Sequence, residues 1–158
     1  MKHDLEVFPW PWDDNSIDEI RMNHILEHLG ETTEIFFGII KELYRVCKPK
    51  AIISIATPHP RHDDFISDPS HVRVITARTF ELFSKRLNKG WAEIGAANSP
   101  LGLYLDVDFE IKKVQHGLDE PWATQFNEGK ITIDQLNEAV KKLNNVVKET
   151  MIVLEVVK

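Results

Sequence analysis

The chain has 158 residues, one cysteine, a formal net charge of −6 and a pI near 5.6. This length suffices for one domain with a buried core. The acidic balance lacks the basic footprint of a nucleic-acid-binding protein. A single cysteine excludes an internal disulfide framework and is typical of a reducing compartment. Cys47 lies in an apolar helical pattern, which predicts a buried side chain rather than a nucleophile.

The N-terminal residues MKHD lack the apolar core of a signal peptide. No apolar run approaches the length needed to span a bilayer. We therefore expect a soluble, cytoplasmic protein with one domain over residues 1–158, because no linker, repeat or low-complexity segment interrupts the sequence. The expected partner is a small-molecule substrate, with no nucleic acid and no membrane.

The first segment with a clear pattern is a proline-rich loop. Residues 8–12, FPWPW, exclude a helix, because proline fixes its own φ and favours extended backbone in the residue before it. Turn-forming residues at 13–16 come next. They precede a short predicted strand at 17–23, after which the chain presents His24 and His28.

The clearest helix is predicted over 32–48, where spaced apolar residues form one stripe. Thr32 or Thr33 can cap this helix, and Pro49 ends it. Residues 51–57 are short and almost wholly apolar, which is typical of a strand covered on both faces. Strand, helix and buried strand in succession predict a right-handed parallel crossover.

The C-terminal half contains two further helices and two further strands. A helix is predicted over about 76–88, with Gly90 as its C-cap. Residues 105–115 alternate apolar and charged side chains, which is typical of a half-exposed strand at a sheet edge. An amphipathic helix is predicted over 132–147, followed by an apolar strand at about 150–157.

Several segments occur in an order and spacing that resemble a class I S-adenosylmethionine (SAM) dependent methyltransferase of type 11. Asp4 comes first, the loop 8–18 is similar to the family's "lPfpd.sfD" loop, and residues 26–29 match its "LEHL" segment. Residues 40–49, IKELYRVCKP, resemble the family's "E..RVLKPGG" helix end. The resemblance implies an α/β fold: a partial Rossmann-like methyltransferase sheet of about four strands with flanking helices, in the family's strand order 4-5-7-6.

The resemblance begins partway through the family's fold. The sequence contains no G-x-G-x-G motif, and its seven glycines are scattered singly. We therefore interpret the chain as the C-terminal part of the fold, truncated on its N-terminal side. The strand at 17–23, central in the family, then becomes an open edge, and an open edge favours a homodimer through strand pairing.

The resemblance implies SAM as the cofactor and a set of residues that bind it. Asp4 would contact the adenine amino group, with the backbone amide of Leu5 beside it, and Asn23 and His24 would face the methionine moiety. Asp4 could instead be a solvated residue near the N-terminus. His24 could be catalytic, whereas His28 could simply pack against backbone.

The loop 59–73 carries histidines and aspartates, and its "DPSHVR" resembles a "DPTHVRP" loop of some sugar- and lipopolysaccharide-associated methyltransferases. Three interpretations stay open. In the first, a histidine is the general base for a substrate hydroxyl. In the second, the loop binds Zn²⁺ or a similar ion. In the third, these side chains only hold the loop together. The candidate residues are His24, His59 and His71 for catalysis, and His62, Asp64 and Arg73 for substrate.

The H-x-x-H spacing at 59 and 62 lacks cysteines and matches no strong zinc signature, so we assign no metal ligand. Three hypotheses for function follow. The complete parent enzyme would transfer a methyl group from SAM to a small-molecule or sugar-type acceptor. The isolated chain, expected to be inactive, could be a half-domain that self-associates through 17–23. The third hypothesis is a metal-binding hydrolase that uses loop 59–73.

Overall fold

A four-stranded mixed sheet forms the centre of the protein, whose structure is a computed structural model describing residues 2–158. The strands are β1 (Ile17–Asn23), β2 (Cys47–Pro58), β3 (Phe109–Leu118) and β4 (Val147–Val156). Their order across the sheet is β1-β2-β4-β3, which confirms the predicted order 4-5-7-6. β1 and β3 are therefore the two edges of this sheet.

The register of the strands decides which residues meet at each end of the sheet. β1 and β2 are parallel, with Asn23 opposite Ala56, so both strands end on the same side. β4 is antiparallel to β2, and Glu149 near its start lies opposite Pro58 at the end of β2. The beginning of β4 therefore lies at the same end of the sheet as the carboxyl ends of β1 and β2.

The helix α1 (Thr33–Val46) connects the two parallel strands. Thr32 caps it, because the Thr32 side chain accepts a hydrogen bond from the Ile35 N–H. Its buried residues are Phe36, Ile39, Ile40, Leu43 and Val46. Each such side chain, when fully buried, stabilises the fold by about 1.5–3 kcal/mol. Together they pack against the sheet to form the main core.

Six shorter helices complete the fold: α2 (Asp63–Ile66), α3 (Ala77–Glu81), α4 (Lys85–Glu93), α5 (Leu101–Leu105), α6 (Trp122–Asn127) and α7 (Ile133–Lys142). A 3₁₀ turn, Leu26–His28, follows β1. The single helix predicted over 76–88 is wrong, because Ser84 caps a new helix and Gly90 lies inside it. The strand predicted over 105–115 starts only at Phe109. The helix predicted over 132–147 ends at Lys142.

The thiol of Cys47, the single cysteine, is buried in the core. It is fully buried at the start of β2, and burial raises the pKa of its thiol to about 11. The thiol is therefore neutral at physiological pH, which confirms the prediction of a buried, unreactive side chain. Within residues 2–158, no helix combines the length and apolar character needed to cross a bilayer.

Candidate functional site

A cleft of about 520 Å³ lies where β1 and β2 end. In open α/β sheets, ligands bind at the carboxyl ends of the parallel strands. The walls of the cleft come from the segments after β1 and β2, the end of β3 and the start of β4. Its charged and titratable lining consists of His24, His28, Asp64, Asp68, His71, Lys148 and Glu149. Both basic and acidic side chains therefore line the same cleft.

His24 comes directly after β1 and adopts a left-handed backbone conformation, with φ of 50°. Its N–H donates to the Ala56 carbonyl over 2.9 Å, which ties this residue to the end of β2. The imidazole Nε2 lies 2.7 Å from Glu149 Oε2, and Nδ1 lies 3.5 Å from Glu27 Oε1. The side chain is 49% exposed, so the imidazole of His24 is accessible to a molecule in the cleft.

Main-chain hydrogen bonds fasten loop 59–73 to the 3₁₀ turn. The N–H groups of Val72 and Arg73 donate to the Glu27 carbonyl over 2.9 and 3.2 Å. His28 Nδ1 lies 3.0 Å from the hydroxyl of Ser70 and 3.3 Å from its carbonyl oxygen. These contacts hold two segments that are far apart in sequence at one wall of the cleft.

His71 lies on that wall with its imidazole almost fully buried, at 6% exposure. Its Nδ1 is 2.9 Å from the Phe65 carbonyl, and its ring stacks on the Phe65 ring with centroids 5.1 Å apart. The His28 ring is tilted against the His71 ring, with centroids 4.6 Å apart. Asp68 Oδ2 lies 3.9 Å from His71 Nε2. Hydrogen bonds from Ser70 lower the pKa of the Asp68 carboxyl, so it is anionic at neutral pH.

Glu27 is the least expected residue of this site. It is completely buried in the 3₁₀ turn, and neither carboxylate oxygen has a hydrogen-bond partner within the described structure. A buried carboxylate without partners is costly, because it loses its hydration without compensation. Sequence reasoning missed Glu27. The available signal was an acidic residue placed between Leu26 and His28, a few residues after a predicted strand.

The structure brings together only some of the residues predicted to contact substrate or to catalyse. His24, His71 and Asp64 line the cleft. His59 and His62 do not line it. His59 packs edge-on against the His116 ring, with centroids 6.3 Å apart.

The other two predicted substrate residues make structural contacts. His62 is buried, its Nε2 lies 3.0 Å from Asp119 Oδ2, and its Nδ1 accepts the Asp64 N–H at the start of α2. The hydrogen bond from His62 lowers the pKa of Asp119. Arg73 donates to the Gly30 carbonyl, and its guanidinium lies 4.3 Å from the centroid of the Phe36 ring. Roles in substrate binding for His62 and Arg73 stay predictions.

The residues predicted to bind cofactor lie on two parts of the surface. Asn23 is the exposed last residue of β1, next to His24 at the cleft. Asp4 is exposed and accepts the Glu6 N–H, as in a local turn. Leu5 borders a separate groove of about 230 Å³ beside β1. Cofactor binding by these residues stays a prediction.

Trp10 and Trp12 border the same groove beside β1 rather than the cleft. Trp10 is only 5% exposed, its indole N–H donates to the Leu5 carbonyl, and its ring contacts that of Trp12 edge-on at 5.9 Å. Arg45 donates to the carbonyl oxygens of both tryptophans. These contacts are those of packing anchors for the proline-rich loop.

Comparison with known proteins agrees with this architecture. No family model matches the chain, and no curated protein matches it in sequence. A SAM-dependent methyltransferase structure from Archaeoglobus fulgidus has a TM-score of 0.60 and 20% identity, covering 98% of this chain and 66% of that one. The YcgJ structure from Bacillus subtilis has a TM-score of 0.51 and 12% identity, covering 100% and 70%. The chain thus has a class I methyltransferase-like fold and spans just under two thirds of the archaeal protein.

A third similar structure shows that this fold does not define one activity. The [4+2]-cyclase SpnF has a TM-score of 0.51 and 17% identity, covering 99% of this chain and 56% of that one. Function must therefore be argued from the residues of the site rather than from the fold.

Proposed function

We propose that this chain supplies the acceptor side of a SAM-dependent methyl-transfer site. The observation that carries the proposal is the position of His24. It directly follows β1, opens onto the cleft and lies 2.7 Å from Glu149. A half-exposed imidazole at the carboxyl end of a parallel strand is suited to accept a proton from a bound molecule.

Methyl transfer from a sulfonium is an in-line displacement, so a protein must mainly position the nucleophile, exclude water and remove a proton. SAM would supply the electrophilic methyl group. Asn23 and His24 are consecutive residues at the end of β1, where they would contact the methionine moiety. Because the Glu149 carboxylate can only accept, His24 Nε2–H donates to it, so the proton of the acceptor would go to Nδ1 and Glu149 would stabilise the resulting imidazolium.

The lining of the cleft favours a small polar acceptor of the sugar type. Asp64 and Asp68 present carboxylates, which accept hydrogen bonds from hydroxyl groups, and Lys148 provides a cation beside them. An apolar acceptor would displace water from these charged groups without replacing the hydrogen bonds of that water, which is unfavourable. A hydroxyl-rich acceptor can donate hydrogen bonds to the carboxylates of Asp64 and Asp68.

A second proposal concerns assembly of the isolated chain: it self-associates through β1 with a second copy. β1 pairs only with β2 in the described sheet, so its outer edge presents unpaired backbone groups. The apolar side chains of Trp12, Ile17 and Ile20 border the groove beside this edge. A second β1 strand would satisfy the backbone groups and cover part of the groove.

Calorimetric titration with S-adenosylhomocysteine tests the cofactor proposal. We expect a Kd of about 1 mM, equivalent to about −4 kcal/mol, because this chain spans only part of the proteins that it resembles. Asn23→Ala should weaken binding further, whereas Asn127→Ala, an exposed asparagine at the end of α6, should not. No heat at millimolar ligand, or equal weakening by both substitutions, would overturn the proposal.

A further inference from the structure

We propose that Glu27, His28 and His71 bind a divalent transition-metal ion at the wall of the cleft. One ligand atom from each of these side chains lies within 4.8 Å of the others. Glu27 and His28 come from the 3₁₀ turn, and His71 comes from loop 59–73. This site differs from a metal site built on His59 and His62, and it does not rest on the proposed methyl transfer.

The hydrogen bonds of the two histidines leave the same ring nitrogen available on each. His71 Nδ1 donates to the Phe65 carbonyl, because a carbonyl oxygen can only accept, and in the neutral imidazole the lone pair is then on Nε2. His28 Nδ1 faces the hydroxyl and carbonyl of Ser70, so its Nε2 is the remaining nitrogen. Histidines that bind metals commonly donate their other N–H to a carbonyl or carboxylate in this way.

Glu27 gives an independent reason to place a cation here. Its side chain is 0% exposed, and both carboxylate oxygens lack hydrogen-bond partners. The imidazole of His24 lies beside it, but its Nδ1 is 3.5 Å from Glu27 Oε1, beyond good hydrogen-bond length. A metal ion bound to Glu27 would compensate for the hydration that the buried carboxylate has lost.

The surrounding backbone holds the ligands in place before any metal binds. The Glu27 carbonyl accepts the N–H groups of Val72 and Arg73, on the C-terminal side of His71. The His71 ring contacts the rings of both Phe65 and His28. Ligands fixed by their surroundings lose little conformational freedom on binding, which strengthens metal affinity.

Two imidazoles and one carboxylate are the ligand set of three-ligand Zn²⁺ sites that keep an open fourth position. Imidazole nitrogen also suits Co²⁺ and Ni²⁺ better than Mg²⁺ or Ca²⁺, which prefer oxygen ligands. His28 and His71 line the cleft, so the open coordination position would face it. The ion would therefore be accessible to a small molecule there.

Metal titration of the purified chain, prepared without a histidine tag, tests this proposal. We expect one Zn²⁺ per chain by calorimetry, and Co²⁺ should give visible absorption that Zn²⁺ abolishes. Glu27→Gln and His71→Asn should each weaken Zn²⁺ binding at least about 100-fold. A control variant, His116→Asn in the other histidine pair, should change it less than about threefold.

Ring ¹⁵N NMR of the wild-type chain keeps the test decisive if a variant fails to fold. On addition of Zn²⁺, the Nε2 signals of His28 and His71 should move while the ring signals of His116 stay constant. The proposal would be overturned by substoichiometric binding, by equal effects of the ligand and control substitutions, or by Zn²⁺ shifts confined to other histidines.

Discussion

The guanidinium of Arg73 donates to the carbonyl oxygen of Gly30, over 2.6 Å through Nη2 and over 3.2 Å through Nε. The same guanidinium lies over the Phe36 ring, 4.3 Å from its centroid. These contacts join loop 59–73 to the segment between the 3₁₀ turn and α1. The position of His71 at the cleft therefore depends on a contact made two residues further along the chain.

Arg73→Lys tests this relationship. Lysine keeps the charge but cannot donate the paired hydrogen bonds while lying flat over the ring. We expect a loss of about 1–2 kcal/mol in the free energy of unfolding, measured with urea. Arg78→Lys, at an exposed residue of α3, should stay within about 0.5 kcal/mol of the wild type. Equal changes for both variants would contradict a structural role for Arg73.

Gly30 is required by both its backbone conformation and its surroundings. Its φ is +74°, and a Cβ there would lie 2.7 Å from the Phe36 Cβ. Gly129 has a similar φ of +70°, but a Cβ there would meet nothing within 4 Å. Gly129→Ala should therefore cost about 1–2 kcal/mol for the left-handed backbone alone. Gly30→Ala should cost about 1–3 kcal/mol more, because the core is also overpacked.

Thermal or urea unfolding of the two glycine variants measures this difference directly. If both substitutions reduced the free energy of unfolding equally, the close approach of Phe36 to Gly30 would be wrong.

The partly buried imidazole of His59 should make the free energy of unfolding depend on pH. Burial, with smaller effects of His116, Arg61 and His62, lowers the pKa of His59 below its ordinary value of 6.5. The unfolded chain then binds a proton at this residue more readily than the folded chain. Its contribution to stability is therefore complete above about pH 6.5 and is lost as the pH falls toward the lower, folded-state pKa.

We expect His59→Asn to reduce the loss of unfolding free energy between about pH 7 and pH 5, while other titrating groups act alike in both proteins. Urea titrations at a series of pH values measure this slope. An unchanged slope in the variant would mean that His59 is not held in a neutral state by burial.

Strand pairing between two copies should respond to charge at the edge of β1. Arg21 and Glu19 are both exposed there, and Arg21 Nε lies 2.7 Å from Glu19 Oε1. Arg21→Glu would place like charges along both copies of the edge, which opposes pairing. Lys141→Glu makes the same charge change on α7, away from β1.

Sedimentation velocity over a range of concentrations should show a dimer for the wild type and for Lys141→Glu, and a monomer for Arg21→Glu. A wild-type monomer at every concentration would end the proposal of self-association. Dimers in all three proteins would place the interface elsewhere.

Local sequence signals predicted the elements whose bounds are set by strong capping or breaking residues. The predicted strand 17–23 has the bounds of β1, because turn residues precede it and the chain turns after Asn23. The helix α7 begins next to Thr132, at the predicted start, because Thr132 and Gln135 form a capping box there. Short helices such as α2 and α5 were not predicted, because four or five residues carry too little periodicity to recognise.

The site was only partly predictable for a different reason. His24 and His71 belong to segments that sequence patterns place at strand ends, so their proximity to a cleft could be expected. Glu149 could not be found in this way, because it reaches His24 only through the antiparallel register of β4 against β2. Tertiary pairing, rather than any local pattern, brings that carboxylate to the cleft.

The proposed methyl-transfer site is tested most directly by ¹H–¹⁵N NMR of the chain during titration with S-adenosylhomocysteine, because weak binding and its location are observed together. The account predicts saturable shifts of the backbone amides of Asn23 and His24 at the end of β1. An absence of shifts at millimolar ligand, or shifts confined to β3 at the opposite edge of the sheet, would contradict it.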